Sequence, residues 1–260
     1  MNKRGAFVFI IIFLFSFSAF ASEIYFNYTV LPTAKGISGV QKDNTISGGF
    51  HNIIKEITKD TNLVPKFIGY DDYDSAIQNT LIYTSVSNPE VIIGATFSEE
   101  NIKYLDYVSV PVYRDNFVLV ANKKSIAGFN FSNDLVSDLK GINQALVSIK
   151  GFNVHPKTYS KEYKNVNTAM EEVFVNNKIL LIPKTLFAYY KGKNNNSKEL
   201  SNLKIVEYKD FPIYYFFAIN KKSNLYTMKY DEDHFVSDLL FERLQNIINK
   251  DEMLKIIESK

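Results

Sequence analysis

Residues 91–100 read Val91-Ile92-Ile93-Gly94-Ala95-Thr96-Phe97-Ser98-Glu99-Glu100, five apolar or small residues running unbroken into a mostly polar stretch. A continuous apolar run of this length, with no polar alternation, is what a strand buried on both faces of a parallel sheet requires. Parallel strands need long crossover connections, usually helical, and the residues upstream supply them. Asn88-Pro89 breaks a helix expected over Asp72 to Val86, with Ala76, Ile77 and Leu81 facing inward. Before it lies a strand expected over Leu63 to Tyr70. Gly48-Gly49 opens another helix, in which Phe50, Ile53, Ile54 and Ile57 fall at i, i+3, i+4 and i+7 on one face. Glu23 to Val30 alternates around Ile24, Phe26 and Tyr28 and reads as the first strand.

Downstream, Ser98 is placed to N-cap a helix over Glu99 to Leu105. Strands are expected at Phe117 to Ala121, Ala145 to Ile149, Lys178 to Ile182, Leu203 to Tyr208 and Tyr214 to Asn220. A helix over Thr168 to Asn177 buries Met170, Val173 and Phe174. A longer one, Asp233 to Lys260, carries Phe235, Leu239, Leu240, Leu244, Ile247 and Ile248 on one side. Lys191 to Lys198 reads as an exposed polar loop. No period repeats, which argues against a solenoid. Strand–helix alternation of this kind predicts an α/β fold with largely parallel sheets. In such folds, ligands sit beyond the carboxyl ends of the strands, here the turns after Val30, Tyr70, Ala95, Ile149 and Ile182.

The first 21 residues have a different character. Lys3 and Arg4 form a basic start, Ala6 to Phe17 an apolar run, and Ala19-Phe20-Ala21 a small-x-small cleavage site. A membrane anchor is the alternative. It needs about 20 apolar residues, and this run is shorter and interrupted by Ser16 and Ser18. The expectation is a signal peptide cleaved after Ala21. Cleavage removes two of the 30 basic residues and leaves 28 against 28 acidic ones. A balanced charge gives no support to nucleic-acid binding, which requires a clustered basic excess. The absence of cysteine removes disulfides, thiolate metal sites and the lipid-carrying cysteine of bacterial lipoproteins. The expected compartment is the periplasm of a Gram-negative cell. His51, His155 and His234 lie far apart, with no pair at ligand spacing, so neither a metal nor any other cofactor is expected.

The order of segments resembles the family 3 extracellular solute-binding proteins, periplasmic partners of ABC importers for polar amino acids. Gly48-Gly49-Phe50 resembles that family's helix start after the first strand. Asp71-Asp72-Tyr73 with Ala76-Ile77 resembles its aromatic-rich turn into the second helix. The run from Val91 to Glu100, followed by Asp106-Tyr107-Val108-Ser109-Val110-Pro111-Val112-Tyr113, is similar to its Gly-x-Thr-x-Thr-Pro-Glu-Arg turn and Asp-Phe-Ser-x-Pro-Tyr run. Asp138-Leu139-Lys140-Gly141 resembles its Asp-Leu-Lys-Gly segment.

The resemblance implies a two-lobed, type II periplasmic binding-protein fold with two hinge crossings, near Tyr113 to Phe117 and Lys209 to Tyr214. Lobe 1 would comprise residues 22–113 and 214–260, and lobe 2 residues 114–213. It further implies capture of a small polar solute by a monomer and recognition of the closed form by an inner-membrane permease. A sensor protein is the alternative partner.

Two departures bear on the ligand. Counted back from Asp106, the position of the family's carboxylate-gripping Arg holds Asn101. The stretch that carries the family's ammonium-binding acid reads Ile182-Pro183-Lys184-Thr185. The resemblance therefore implies a solute other than a standard α-amino acid. The candidate ligand-binding residues are Tyr28, Tyr73, Thr96, Asn101, Tyr113, Lys150 and Lys184. With 17 Tyr and 21 Phe in the chain, any one ring is more often packing than site, so what singles these out is convergence on one cleft. A ligand-free, partner-binding member and a prephenate- or arogenate-dehydratase-like enzyme are the alternative functions. For the enzyme, Asp71 and Asp72 are the only acids that the sequence places near the cleft.

Overall fold

In the computed structural model of this chain, the described residues are 22–31, 39–40, 46–132, 134–142, 146–150, 152 and 161–249. The signal segment, His155 and the last eleven residues of the expected C-terminal helix lie outside them. Strands β1 (Ile24–Val30), β4 (Leu63–Phe67) and β5 (Val91–Thr96) alternate with helices α1 (Gly49–Thr58) and α2 (Tyr73–Ile82). β2 (Gly39–Val40) and β3 (Ile46–Ser47) form a small antiparallel pair of their own. β6 (Leu105–Tyr107) leads into the long β7 (Tyr113–Asn122). Then come α3 (Leu135–Ile142), β8 (Leu146–Ile149), β9 (Lys161–Tyr163), α4 (Val166–Val175), β10 (Ile179–Pro183) and α5 (Lys184–Lys193). β11 (Leu203–Asn220), α6 (Asn224–Thr227) and α7 (Val236–Asn249) complete the chain.

One sheet runs in the order β4-β1-β5-β11-β7-β10-β8-β9, with β6 joined to β11. β1 pairs parallel with β4 and β5, and β8 pairs parallel with β10 and β9. The two parallel groups are connected through the antiparallel pair β7 and β11. The apolar run is buried at every position from Val91 to Ala95, as a strand covered on both faces must be. On α1 the stripe of Phe50, Ile53, Ile54 and Ile57 is buried completely. Each such side chain contributes about 1.5–3 kcal/mol relative to leaving it in water.

Gly94 sits where this packing is tightest. Its φ is +96°, and an added Cβ would lie 2.7 Å from Leu31 Cβ and 2.8 Å from the Phe50 ring. In the pairing with β11, Phe216 faces Ala95 and Phe217 faces Ile93, which leaves Gly94 as an extra, unpaired residue. Such a bulge bends a strand and re-aims the side chains beyond it, here that of Thr96.

Several expected elements differ. Leu203 to Asn220 is one strand rather than two, with its register shifting between Tyr208 and Pro212. The return crossing therefore lies within one strand whose pairing with β7 is interrupted by a bulge at 209–211. The helix expected over Glu99 to Leu105 is a single 3-10 turn at Asn101–Lys103. Ser98 still accepts the first amides of that turn, through Oγ from Glu100 N (3.2 Å) and through its carbonyl from Asn101 N (3.0 Å). Leu105 leaves the helical path because it pairs with Asn220, as Tyr107 does with Ala218. α2 stops at Ile82 because Asn88 Oδ1 accepts the Thr84 and Ser85 amides in a competing turn. α5 extends into the stretch expected as loop and carries on to Lys193. α7 begins at Val236 because Asp231 Oδ1 accepts the Asp233 and His234 amides. Phe235, placed inside by periodicity, is 42 % exposed.

Candidate cleft and hinge site

The carboxyl ends of the two parallel groups meet. Beyond β4 stands Tyr73, and at the end of β5 stands Thr96. The Thr96 amide donates to the Tyr73 hydroxyl (3.0 Å), which also hydrogen-bonds Thr96 Oγ1 (2.8 Å). Beyond β8 stand Lys150 and Phe152. The Phe152 ring packs on Tyr73 (centroids 4.7 Å, 33°) and presents its edge to Tyr215 (6.5 Å, 86°). Tyr215 lies opposite Tyr113 in the β7–β11 ladder and stacks on it (6.0 Å, 16°). Tyr73, Phe152 and Tyr215 are all buried, so aromatic rings from both sides and the hinge fill the middle of the cleft.

Charge is distributed around this plug in two places. At the rim, Lys150 Nζ reaches from the end of β8 to Asp74 in the first turn of α2, 3.1 Å from Oδ1, with Lys164 Nζ 3.9 Å away. Asp74 is buried although both lysines are largely in water. The first turn of a helix favours an acid there. On the floor, alternation along β7 puts Asp115 on the same face as Tyr113 and Phe117. Its Oδ2 accepts from Thr185 N (3.0 Å) and Thr185 Oγ1 (2.6 Å), and its Oδ1 from Asn116 N (2.7 Å).

Asp115 thus caps α5, whose own N-cap residue is Pro183 with no side-chain acceptor. Burial pushes the Asp115 carboxyl upward, against the pull of the Thr185 and Asn116 hydrogen bonds and the more distant Lys184 charge. The buried Tyr215 hydroxyl has no partner of hydrogen-bonding geometry. Burial and the neighbouring Asp115 raise its pKa against the pull of nearby Thr185, and burial and Asp115 push Tyr113 up to about 12.

Spaces remain on either side of the plug. One of about 200 Å³ is lined by Tyr73, Asp74, Thr96, Asn101 and Lys150. Another, of about 410 Å³, lies between Asp71, Asp72, Lys164, Tyr189 and Lys193. A larger space, about 550 Å³, is lined by Tyr25, Lys66, Tyr83 and Glu90 at the other ends of β1 and β5. It touches none of the cleft residues.

Of the sequence candidates, Tyr73, Thr96, Asn101 and Lys150 therefore meet in one space, and Tyr113 forms part of the floor. Two do not join them. Tyr28 is 1 % exposed inside the first half of the sheet, where its hydroxyl meets His51 Nδ1 (2.6 Å) and its ring packs on Phe67. An inward position on a strand covered by α1 explains that placement. Lys184 turns away to Glu207 on β11, 2.8 Å from Oε2, because the neighbouring strand offers a carboxylate. Of the two acids placed near the cleft, Asp72 caps α2 by accepting from Ser75 N (2.8 Å). Sequence reasoning did not single out Asp74, Asp115 or Tyr215. The alternation Tyr113-Arg114-Asp115-Asn116-Phe117 carried the signal for Asp115, since it puts an acid on the apolar face.

No guanidinium reaches the cleft among the described residues. Arg114 donates to the Lys209 carbonyl and Arg243 to the Lys59 carbonyl. The described residues contain no group of His, Asp or Glu side chains able to hold a metal. None of their helices is long and apolar enough to cross a membrane.

No protein-family model matches this sequence, and no curated protein matches it either. Solved structures do match. An ancestral arginine-binding protein bound to arginine superposes with TM-score 0.64 at 18 % identity, over 90 % of this chain and 96 % of that one. The GluR0 ligand-binding core in complex with L-glutamate gives 0.64 at 12 % identity, covering 90 % and 97 %. The P235GK mutant of ArgBP from T. maritima gives 0.62 at 17 % identity, covering 90 % and 93 %. These likenesses and the sheet order together establish the fold: a two-lobed, type II periplasmic binding-protein architecture whose lobes are joined by β7 and β11.

Proposed function

We infer that this chain is a solute-binding protein of the family 3 type, capturing a small polar solute between its lobes for an ABC-type importer. The observation that carries this reading is the pair of opposed strand-end groups, Tyr73 with Thr96 and Lys150 with Phe152, set across a two-strand hinge. In a hinged fold, closure sequesters a ligand and creates the surface a partner recognises. Residues 22–113 and 214–260 form lobe 1 and residues 114–213 lobe 2. The protein works as a periplasmic monomer after loss of residues 1–21, with an inner-membrane permease as partner and no catalytic step. Calorimetric titration with a metabolite library tests this. Saturable binding of one solute class supports it, and the absence of binding by any small molecule refutes it.

One observation favours a second reading, a member that is shut without ligand and signals to an envelope partner such as a sensor protein. The Lys150–Asp74 pair and the Phe152 ring already bridge the cleft. Small-angle scattering separates the two readings. A binding protein compacts on adding its solute, whereas a self-closed member keeps one radius of gyration throughout. The dehydratase alternative keeps only Asp71 of its two rim acids, because Asp72 is a helix cap. Asp115 is tied to three donors. Turnover of prephenate or arogenate would revive it.

A further inference from the structure

We propose that the hinge floor is a cation subsite, and that the solute taken by the cleft is an organic ammonium ion with an apolar body and no carboxylate. The proposal rests on the solute-binding reading above and adds the chemical class. It starts from the positive charges. Lys150 is committed to Asp74 and Lys184 to Glu207, and both described arginines bind carbonyls elsewhere. None of these four groups offers a solute carboxylate an unpaired charge at the hinge floor; Lys193, which forms no ion pair among the described residues, stands over the Tyr189 ring at the outer 410 Å³ space.

The floor offers the opposite sign. Asp115 is 4 % exposed and touches no ammonium or guanidinium among the described residues. An ionised carboxylate has about four acceptor sites. Oδ2 uses two of them on Thr185 and Oδ1 uses one on Asn116, which leaves one on Oδ1. Beside it, the buried Tyr215 hydroxyl lies near Thr185 but makes no hydrogen bond of good geometry. An ammonium N–H bonded to Oδ1 and another to the Tyr215 oxygen would satisfy both groups, and a buried charge is held best when paired and hydrogen-bonded.

The surroundings suit a cation with a flat or aliphatic body. Tyr113 and Tyr215 stack, Phe50 meets Tyr113 edge-on (6.3 Å, 79°), and Phe152 lies between Tyr73 and Tyr215. Aromatic walls attract cations through their ring faces. Phe152 occupies the place of the solute's apolar body, between the Tyr73 face and the Tyr215 ring. When the lobes part, that ring leaves with the end of β8.

The test is calorimetric titration of the purified protein with 2-phenylethylamine, tyramine and putrescine, set against phenylalanine and 3-phenylpropionate. At least one amine is expected to bind at a single site at least tenfold more tightly than phenylalanine, and 3-phenylpropionate to give no heat. Asp115→Asn should weaken the amine at least tenfold. Tyr215→Phe, which removes one oxygen and keeps the ring, should weaken it severalfold with unchanged near-ultraviolet circular dichroism, and it decides the matter if Asp115→Asn does not fold. Three results overturn the proposal: none of the three amines binds, an acid or amino acid binds as tightly, or Tyr215→Phe binds the amine as wild type. If another solute class from the metabolite library then binds, the solute-binding reading stands and only this inference falls. If nothing binds, both fall.

Discussion

Asp74 and Asp115 are both buried carboxylates at the cleft, one at its rim and one on its floor, and they are stabilised in different ways. Asp74 is held by lysines that follow β8 and β9 and keep about half or more of their side chains in water. Asp115 is held by neutral donors, two from one threonine and one from the next backbone amide. If the cleft opens as proposed, the rim contact would form and break, and a partly solvated ion pair does so at little cost. The floor contact belongs to the hinge itself, where short hydrogen bonds fix the start of α5 against β7. On the proposed hinge closure, the difference separates a rim that would move from a floor that positions.

The variant expected to matter most removes the frame that both regions share. Gly94→Ala forces an L side chain to φ +96° and drives its Cβ against Leu31 and Phe50. Positive-φ strain and overpacking together should cost roughly 3 kcal/mol or more, read as a lower urea midpoint. Asp115→Ala should come next at about 2 kcal/mol, because it orphans the Thr185 and Asn116 amides inside the protein. Lys150→Met should cost under about 1 kcal/mol, with part of the loss masked by high salt. Its larger readout is geometric: scattering from the ligand-free protein should show a population with a greater radius of gyration. If Lys150→Met destabilises more than Asp115→Ala, the assignment of moving rim and fixed floor is reversed.

The smallest effect concerns pH. Burial and the Lys55 charge lower the pKa of His51 below 6.5. The folded state then binds fewer protons than the unfolded state just below that value. His51 therefore contributes stability above pH 6.5 that is lost as pH falls towards its folded value. His234 has the opposite sign, since Asp231 raises its pKa and its contribution fades as pH rises. Urea midpoints between pH 5 and 8 should show a shallower acid-side loss in His51→Gln, and a steeper one in His234→Gln.

Local pattern accounts for much of the fold. The unbroken Val91 to Ala95 run and the Phe50, Ile53, Ile54, Ile57 stripe each state their burial directly, since one face or two faces of an element must meet the core. The errors fall where a distant partner intervenes. Leu105 read as the end of a helix and became the start of a strand because β11 offered its edge. Residues 184–193 concealed a helix whose capping acid, Asp115, is some seventy residues earlier. The site shows the same division. Tyr73 and Thr96 were legible from the turns that carry them, but Tyr28 and Lys184 found nearer partners in His51 and Glu207.

By itself, the sequence determined the alternation of strands and helices and the burial of β5. Periodicity, composition and the identity of a residue at a motif position are properties of the chain alone. Only the tertiary structure decided that β11 is continuous through the hinge, that Lys150 belongs to Asp74, and that Asp115 stands on the cleft floor beside Tyr215. Those facts depend on which groups meet across the sheet. Pairing register, and the pressure to satisfy every buried polar atom, settle them after the chain has folded.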